Sequence, residues 1–256
     1  MQVNAIILAA GKGTRMNSDL PKCAQPIIDK PMIEYVVEAL AEVKPVDIIT
    51  VVGYKREIIE RILNKRTKFA VQEEQLGTAH AVMMAKPFLE NKKGHTIIAI
   101  GDMPFISKQT YYNLLNSHLQ ENNDITILTT SHPNPFGYGR IVRDENGKVL
   151  EIVEEKDCSE EQRLITEINA SVYVVDNQKL FKSLSEISNK NKQKEYYLTD
   201  IVKIFKEKKY KVGTYRIDNY HEISGVNDKY QLMEMETALQ EDIIKRHLLA
   251  GITIDK

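Results

Sequence analysis

Short apolar runs alternate with helical stripes through the first half of the chain. Residues 3–9 are β-rich and run into glycine, which predicts a buried strand. Pro31 predicts a helix opening at its preferred first position, with Ile33, Val36, Val37 and Leu40 on one face. A second buried strand follows over 47–52, then a helix over 57–63 with Ile58, Ile59 and Ile62 as its stripe. A short strand over 69–71 precedes a helix capped by Thr78 and running to Phe88. Residues 96–100 form a strand ending at Gly101-Asp102, Ser107 caps a helix to Gln120, and 125–130 is again a strand. This alternation predicts an α/β fold: a Rossmann-like, mostly parallel sheet with helices on both faces. Ligands bind such sheets at the carboxyl ends of strands, where the Gly11 loop and Asp102 both fall.

The second half changes character. Strands over 139–144 and 148–154 flank Glu145-Asn146-Gly147, a hairpin signal. A strand over 168–175, a helix over 199–208, a strand over 210–217 and a long helix over 228–249 follow, while 189–194 reads as a solvated polar loop. The pattern predicts one domain over 1–256. It divides into a core over 1–132, a small antiparallel lobe with return strands over 133–226, and a C-terminal helix over 227–250.

Composition narrows the classes. At 256 residues the chain is one large domain or two small ones, on a prior of roughly 150 residues each. Lys plus Arg number 35 against 36 Asp plus Glu, so the basic excess of a nucleic-acid binder is lacking and no nucleic acid partner is expected. Cys23 and Cys158 are far apart and lack metal-ligand spacing, which argues against a disulfide framework or a zinc site. No basic leader and no stretch near the ~20 apolar residues of a membrane span are present. The expectation is a cytoplasmic protein without a membrane partner.

The segment Leu8-Ala9-Ala10-Gly11-Lys12-Gly13-Thr14-Arg15-Met16, followed by Pro21-Lys22, concentrates the chemistry. It lacks the spacing of a P-loop and the third glycine of a dinucleotide fingerprint. Two glycines after a strand let backbone N–H groups approach a ligand closely. Lys12, Arg15 and Lys22 would surround that nest with cations, which suits a triphosphate. The plain alternative is a tight strand-to-helix turn with solvated basic residues.

With that segment the chain resembles the sugar-nucleotide pyrophosphorylases. The match is sharpened by Gln72-Glu73-Glu74-Gln75-Leu76-Gly77-Thr78-Ala79-His80-Ala81, Gly101-Asp102-Met103-Pro104 and Gly137-Tyr138-Gly139-Arg140-Ile141. It continues through Ile152-Val153-Glu154-Glu155-Lys156-Asp157, Glu167-Ile168-Asn169, Glu195-Tyr196-Tyr197-Leu198-Thr199-Asp200 and Gly225-Val226-Asn227. In order, and over essentially the whole chain, these segments resemble the uridylyltransferase half of the bacterial bifunctional N-acetylglucosamine-1-phosphate uridyltransferases.

The resemblance implies a nucleotide-diphospho-sugar transferase fold whose antiparallel lobe binds sugar. It implies Mg²⁺-dependent transfer of UMP from UTP to N-acetylglucosamine 1-phosphate, giving UDP-N-acetylglucosamine, a peptidoglycan precursor, and pyrophosphate. It assigns Asp102 and Asn227 to the metal. Arg15 goes to the leaving pyrophosphate and Lys22 to the α-phosphate and sugar phosphate, as catalytic cations. Ala10, Gly11, Gly13, Gln72, Gly77 and Thr78 fall to the nucleotide, and Gly139, Glu154 and Asn169 to the sugar. Taken singly, Asp102 also reads as a turn residue, Asn227 and Thr78 as helix caps, and Glu154 as an exposed strand charge. Tyr196, Tyr197 and Thr199 read as supporting wall, His80 as core or surface, and Tyr111-Tyr112 as packing or exposed. Cys23, beside Lys22, predicts block of the pocket by a thiol reagent.

Departures from the family keep alternatives open: Ala170-Ser171 follows Asn169, Ala79 replaces a common glycine, and Ile100 stands where tyrosine is frequent. The same chemistry on another sugar 1-phosphate, such as glucose or a galactosamine derivative, or with dTTP, fits too, as does a non-catalytic nucleotide-sugar-binding module. No hexapeptide repeats occur, so acetyl transfer is not expected. A monomer or weak homo-oligomer is expected, with a trimer only where a β-helix domain is present.

Overall fold

The computed structural model describes residues 2–226 and 228–254. In chain order the elements are β1 (Val3–Ala9), β2 (Pro26–Ile27), β3 (Lys30–Pro31), α1 (Met32–Ala41), β4 (Ile48–Val52), α2 (Arg56–Leu63) and β5 (Lys68–Val71). Then come α3 (Thr78–Met84), α4 (Lys86–Leu89), β6 (His95–Ile100), α5 (Lys108–Gln120), β7 (Ile125–Ser131), β8 (Arg140–Arg143) and β9 (Val149–Val153). The chain closes with α6 (Glu160–Arg163), β10 (Glu167–Asp176), α7 (Asn177–Leu184), α8 (Ile201–Glu207), β11 (Val212–Ile217) and α9 (Lys229–Leu249).

The main sheet runs β11-β7-β10-β6-β1-β4-β5. β4, β5 and β6 are parallel to β1, and β11 is parallel to β7, while β10 runs against both of its neighbours, β6 and β7. Strands buried on both faces need unbroken apolar runs, and β1 shows why. Ala5, Ile7 and Ala9 pack with Val36, Leu40 and Leu114 of α1 and α5, while Ile6 packs with Val82, Leu180 and Phe205 of α3, α7 and α8. The mostly parallel sheet with helices on both faces is the predicted fold.

Local chemistry shifts several predicted boundaries. Pro31 ends β3 and sits at the N-cap of α1, because its ψ of 138° is extended while its φ of −54° is not helix-breaking. The N-cap of α3 is Gly77, so Thr78 is the first helical residue rather than the cap. The helix predicted to reach Phe88 is two pieces, since Pro87 supplies no N–H to bridge them. The helix predicted from Thr199 opens as a 3₁₀ turn over Leu198–Asp200 before α8. α7, for which no periodicity was read, is capped by the Asp176 carboxylate, which accepts from the Lys179 N–H at 2.9 Å.

β8 and β9 form the antiparallel hairpin that the Asn-Gly turn predicts, and β8 joins the sheet where Arg140 faces Ile168 of β10. β10 is irregular there. Asn169 faces Thr129 and Tyr173 faces Ile127, so β10 makes four steps where β7 makes two. This bulge carries Ser171 in a left-handed conformation, φ 55°. The first half of α9 packs Leu232, Met235 and Leu239 on Met16, Ile27 and Met32. Among the described residues no helix is long and apolar enough to cross a membrane.

Candidate active site

At the carboxyl ends of β1 and β6 lies a cavity of about 360 Å³ lined by Ala10, Gly11, Lys22, Gln72, Gly77, Thr78, Asp102 and Ser171. Seven of the sequence-predicted residues therefore converge. Gly11 stands in open space, with nothing within 4 Å of where a Cβ would project. Gly13 is set by close approach: at φ 63° its Cβ would lie 2.5 Å from Lys22 Cβ. The loop is thereby laid over the 3₁₀ turn that begins at Lys22, and the Lys22 ammonium pairs with the Asp102 carboxylate. The expected ring of cations is not drawn together. Arg15 is exposed on the turn over Thr14–Met16, and the exposed Lys12 ammonium lies 5.4 Å from the centre of the Tyr54 ring. Neither of them, nor Gly13, lines the cavity.

Asp102 follows β6 through a closely packed glycine: a Cβ on Gly101 would lie 2.7 Å from Ile33 Cδ1 and 3.0 Å from Cys23 Sγ, so these side chains would have to shift. The Asp102 carbonyl accepts the Val226 N–H at 3.3 Å, tying the end of β6 to the segment before α9. Asn227, the other expected metal ligand, lies outside the described residues. Among the described residues no three His, Cys, Asp or Glu converge as a metal centre. A half-buried carboxylate on the wall of this cavity fits Mg²⁺, which takes one or two protein oxygens and otherwise phosphates and water.

Cys23 lines the same cavity but is buried. Burial, and then the Asp102 charge, push its thiol up to about 12, against a smaller opposing effect of Lys22. The thiolate is the reactive form, so the burial of Cys23 argues against the expected block by thiol reagents. At pH 8 the native protein should take up iodoacetamide at Cys23 far more slowly than a free thiol does. Mass spectrometry checks this, and stoichiometric labelling within minutes would contradict it.

The far end of the cavity is a clasp between two segments. Tyr196 N–H donates to the Leu76 carbonyl at 2.8 Å, the Ala79 N–H to the Tyr196 carbonyl at 2.9 Å, and the Leu198 N–H to Thr78 Oγ1 at 2.9 Å. The Thr78 hydroxyl thus holds the 196–198 segment rather than capping a helix. Gln72 is buried, with its amide nitrogen donating to the Gly77 carbonyl at 3.2 Å and lying 3.0 Å from His80 Nδ1. His80, which does not itself line the cavity, is a contact of Gln72 that the sequence reading missed. Its position in the first turn of α3, facing back to the end of β5, is visible only once the loop over 72–77 is closed.

The sugar-lobe residues also meet. The Asn169 N–H donates to the Gly139 carbonyl at 2.9 Å, and a Cβ on Gly139 would lie 3.6 Å from Glu154 Oε2. The buried Asn169 amide holds the β10 bulge, accepting from the Ser171 N–H at 2.9 Å and donating to Tyr173 Oη at 2.7 Å. Ser171 carries the link to the main cavity. The loop bearing Gly139 is fixed by Arg140, almost fully buried, whose guanidinium pairs with Glu155 at 2.6 Å. Of the residues read as supporting wall, Tyr197 is buried, and Thr199 Oγ1 donates to Glu154 Oε1 at 3.0 Å.

Burial raises the Glu154 carboxyl above its ordinary range, and the nearby Asp200, Asp157 and Glu195 charges add to this against the Thr199 hydrogen bond. The folded protein therefore binds this proton more tightly than the unfolded chain. Ionised Glu154 costs stability as pH rises past the ordinary carboxylate range, and the cost grows until the raised folded-state value is passed. Glu154→Gln should melt higher than the parent at pH 7, with the gain vanishing near pH 4. If Glu154 accepts from a sugar hydroxyl, the same change should raise the KM for the sugar phosphate roughly 10-fold or more. A lower melting temperature at pH 7 would contradict the assignment of cost.

Comparison with known proteins gives the same address. The Nucleotidyl transferase family model matches residues 4–223. The chain is 46% identical over 249 residues to Bifunctional protein GlmU of Streptococcus gordonii, covering 97% of this chain and 54% of that protein. It is 45% identical over 250 residues to Bifunctional protein GlmU of Streptococcus agalactiae serotype V, covering 98% and 54%. The chain thus spans about half the length of these curated relatives. A crystal structure of UDP-glucose pyrophosphorylase complexed with UDP-glucose superposes with a TM-score of 0.74 at 18% identity, over 94% of this chain and all of that one, which establishes the shared fold.

Proposed function

Because this chain belongs to the nucleotidyl transferase family, we propose that it transfers UMP from UTP to N-acetylglucosamine 1-phosphate, releasing pyrophosphate and forming UDP-N-acetylglucosamine. The observation that carries this is one cavity gathering open glycine backbone, Lys22 and Asp102 with a buried amide at its far end.

A phosphate monoester has a second pKa of about 6 and is largely dianionic at neutral pH, so the attacking group needs no general base. Its oxygen forms a bond to the α-phosphorus, and the bond to the β-phosphate oxygen breaks, with the electron pair leaving on pyrophosphate. The obstacle is the approach of two polyanions, so catalysis falls to positioning and charge. The Ala10-Gly11 backbone admits the nucleotide closely. Lys22, held on Asp102, is the cation nearest to hand for the α-phosphate and sugar phosphate. Arg15, exposed on the turn over Thr14–Met16 and outside the cavity lining, would meet the outgoing pyrophosphate. Asp102 would hold Mg²⁺, which supplies charge neutralisation and orientation of phosphate oxygens. Gly139, Glu154 and Asn169 would bind the sugar hydroxyls and acetamido group. As a protein handling two small phosphorylated substrates, it is placed in the cytoplasm, as a monomer or weak homo-oligomer.

The test is metal-dependent pyrophosphate release from UTP or dTTP with a panel of N-acetylglucosamine, glucose and galactosamine-type 1-phosphates. Highest kcat/KM with UTP and N-acetylglucosamine 1-phosphate is expected. A different best pair would replace the substrate and keep the chemistry, and no product with any pair would end the proposal.

A further inference from the structure

We infer that His80 is a positioning residue for base selection: it fixes the Gln72 amide so that the amide oxygen, not the nitrogen, faces the nucleotide cavity. This rests on reading that cavity as a nucleoside triphosphate site. A primary amide offers two N–H donors and one acceptor oxygen. Gln72 Nε2 donates to the Gly77 carbonyl at 3.2 Å and lies 3.0 Å from His80 Nδ1. The first contact fixes which end is nitrogen, because a carbonyl can only accept. His80 Nδ1 then completes the pair as an acceptor, which places the histidine's proton on Nε2. With both donors engaged, Oε1 is the atom that Gln72 has left, and Gln72 lines the cavity.

That orientation is a chemical filter. Uracil and thymine carry a donating N3–H on their pairing edge, whereas cytosine carries an accepting ring nitrogen there. An amide oxygen opposite the imide makes a hydrogen bond. Opposite cytosine it sets two acceptors face to face, and a buried acceptor left unpaired weakens binding about 10- to 100-fold. Gln72 is buried and its backbone carbonyl accepts from Gln75 Nε2 at 3.3 Å, so the residue has little freedom to evade the clash. Without the acceptor at position 80, one amide hydrogen loses its partner and the amide is free to turn its nitrogen toward the base.

The experiment compares the parent, His80→Asn, whose side-chain oxygen can stand in for Nδ1, and His80→Leu, which cannot accept. Calorimetric binding of UTP and CTP is read beside kcat and KM. The parent and His80→Asn should favour UTP over CTP by 10-fold or more. In His80→Leu the ratio should fall to within about 3-fold, with kcat at saturating UTP and the KM for sugar phosphate little changed. An unaltered ratio in His80→Leu, or equal losses for both nucleotides, would overturn the inference. Should His80→Leu fail to fold, nitrogen NMR of the parent decides, with the His80 signals identified by their loss in His80→Asn. Nδ1 must appear unprotonated, and a proton on Nδ1 overturns the inference. A parent that prefers UTP in binding yet makes no nucleotide sugar would end the transfer reading and leave this inference standing. Equal binding of UTP and CTP would end this inference alone.

Discussion

Asp102→Ala should lower turnover by roughly 10²–10⁴-fold while leaving the fold intact, because a metal–phosphate interaction is worth several kcal/mol and each 1.4 kcal/mol is tenfold. The structural cost is small. Asp102 is half-buried at the rim of the sheet and pairs with Lys22, an ion pair of the partly solvated kind worth about 0–1 kcal/mol. Melting within a few degrees of the parent is therefore expected. The sign of the binding change is more telling than its size. Without divalent metal, the variant should bind the triphosphate as well as the parent or better, since a carboxylate near the phosphates is gone and Lys22 is released to them. With metal, the parent should gain affinity and the variant should not. Titration calorimetry with and without Mg²⁺ checks this, and a variant retaining a tenth or more of parental turnover would remove Asp102 from the chemistry.

The site was legible where a residue's role depends on its place at a strand end. The apolar run over 3–9 predicts β1, the run over 96–100 predicts β6, and a parallel pair must bring the residues after them to one edge. The convergence of Gly11, Lys22 and Asp102 follows from that alone. Roles that depend on contacts between distant segments were not legible. Thr78 has the chemistry of a helix cap, yet Gly77 takes that place and the Thr78 hydroxyl reaches the Leu198 N–H. His80 gains its partner only when the 72–77 loop folds back against the start of α3. The reach of side chains was misjudged as well. Lys12 and Arg15 stand near Lys22 in sequence, but both are exposed and neither lines the cavity. The expected block of the pocket through Cys23 follows from its place beside Lys22 in sequence, whereas the burial that raises its thiol belongs to the packing of Gly101 and Ile33 around it. The course of β10 through the main sheet, rather than within the lobe, has no signature in periodicity. A strand buried on both faces reads alike in either direction.

Gly77→Ala and Gly11→Ala should separate stability from binding within one cavity wall. Gly77 has φ 117°, where a side chain is strained, and its Cβ would lie 2.5 Å from the Tyr196 carbonyl oxygen and 2.7 Å from the Tyr196 nitrogen. Neither atom is the end of a flexible side chain: both belong to the clasp that joins residues 76–79 to 196–198. Backbone strain of about 1–3 kcal/mol and overpacking of similar size add to roughly 2–6 kcal/mol. For a domain of this length that is a fall in melting temperature of about 5–20 °C. Opening the clasp also moves the Gly77 carbonyl that holds Gln72, so UTP affinity should fall with stability. Gly11 has no such neighbours, and alanine there meets nothing within 4 Å. Its melting temperature should stay within about 2 °C of the parent, consistent with a surface substitution of at most ~0.5 kcal/mol. Its methyl group would nevertheless stand in the cavity where the backbone must approach the nucleotide, and UTP binding should weaken 10-fold or more. Thermal melts paired with nucleotide titrations of the two variants decide it. A Gly77→Ala protein as stable as the parent would mean that the 196–198 segment yields without cost. A Gly11→Ala protein with parental UTP affinity would place the nucleotide somewhere other than against that backbone.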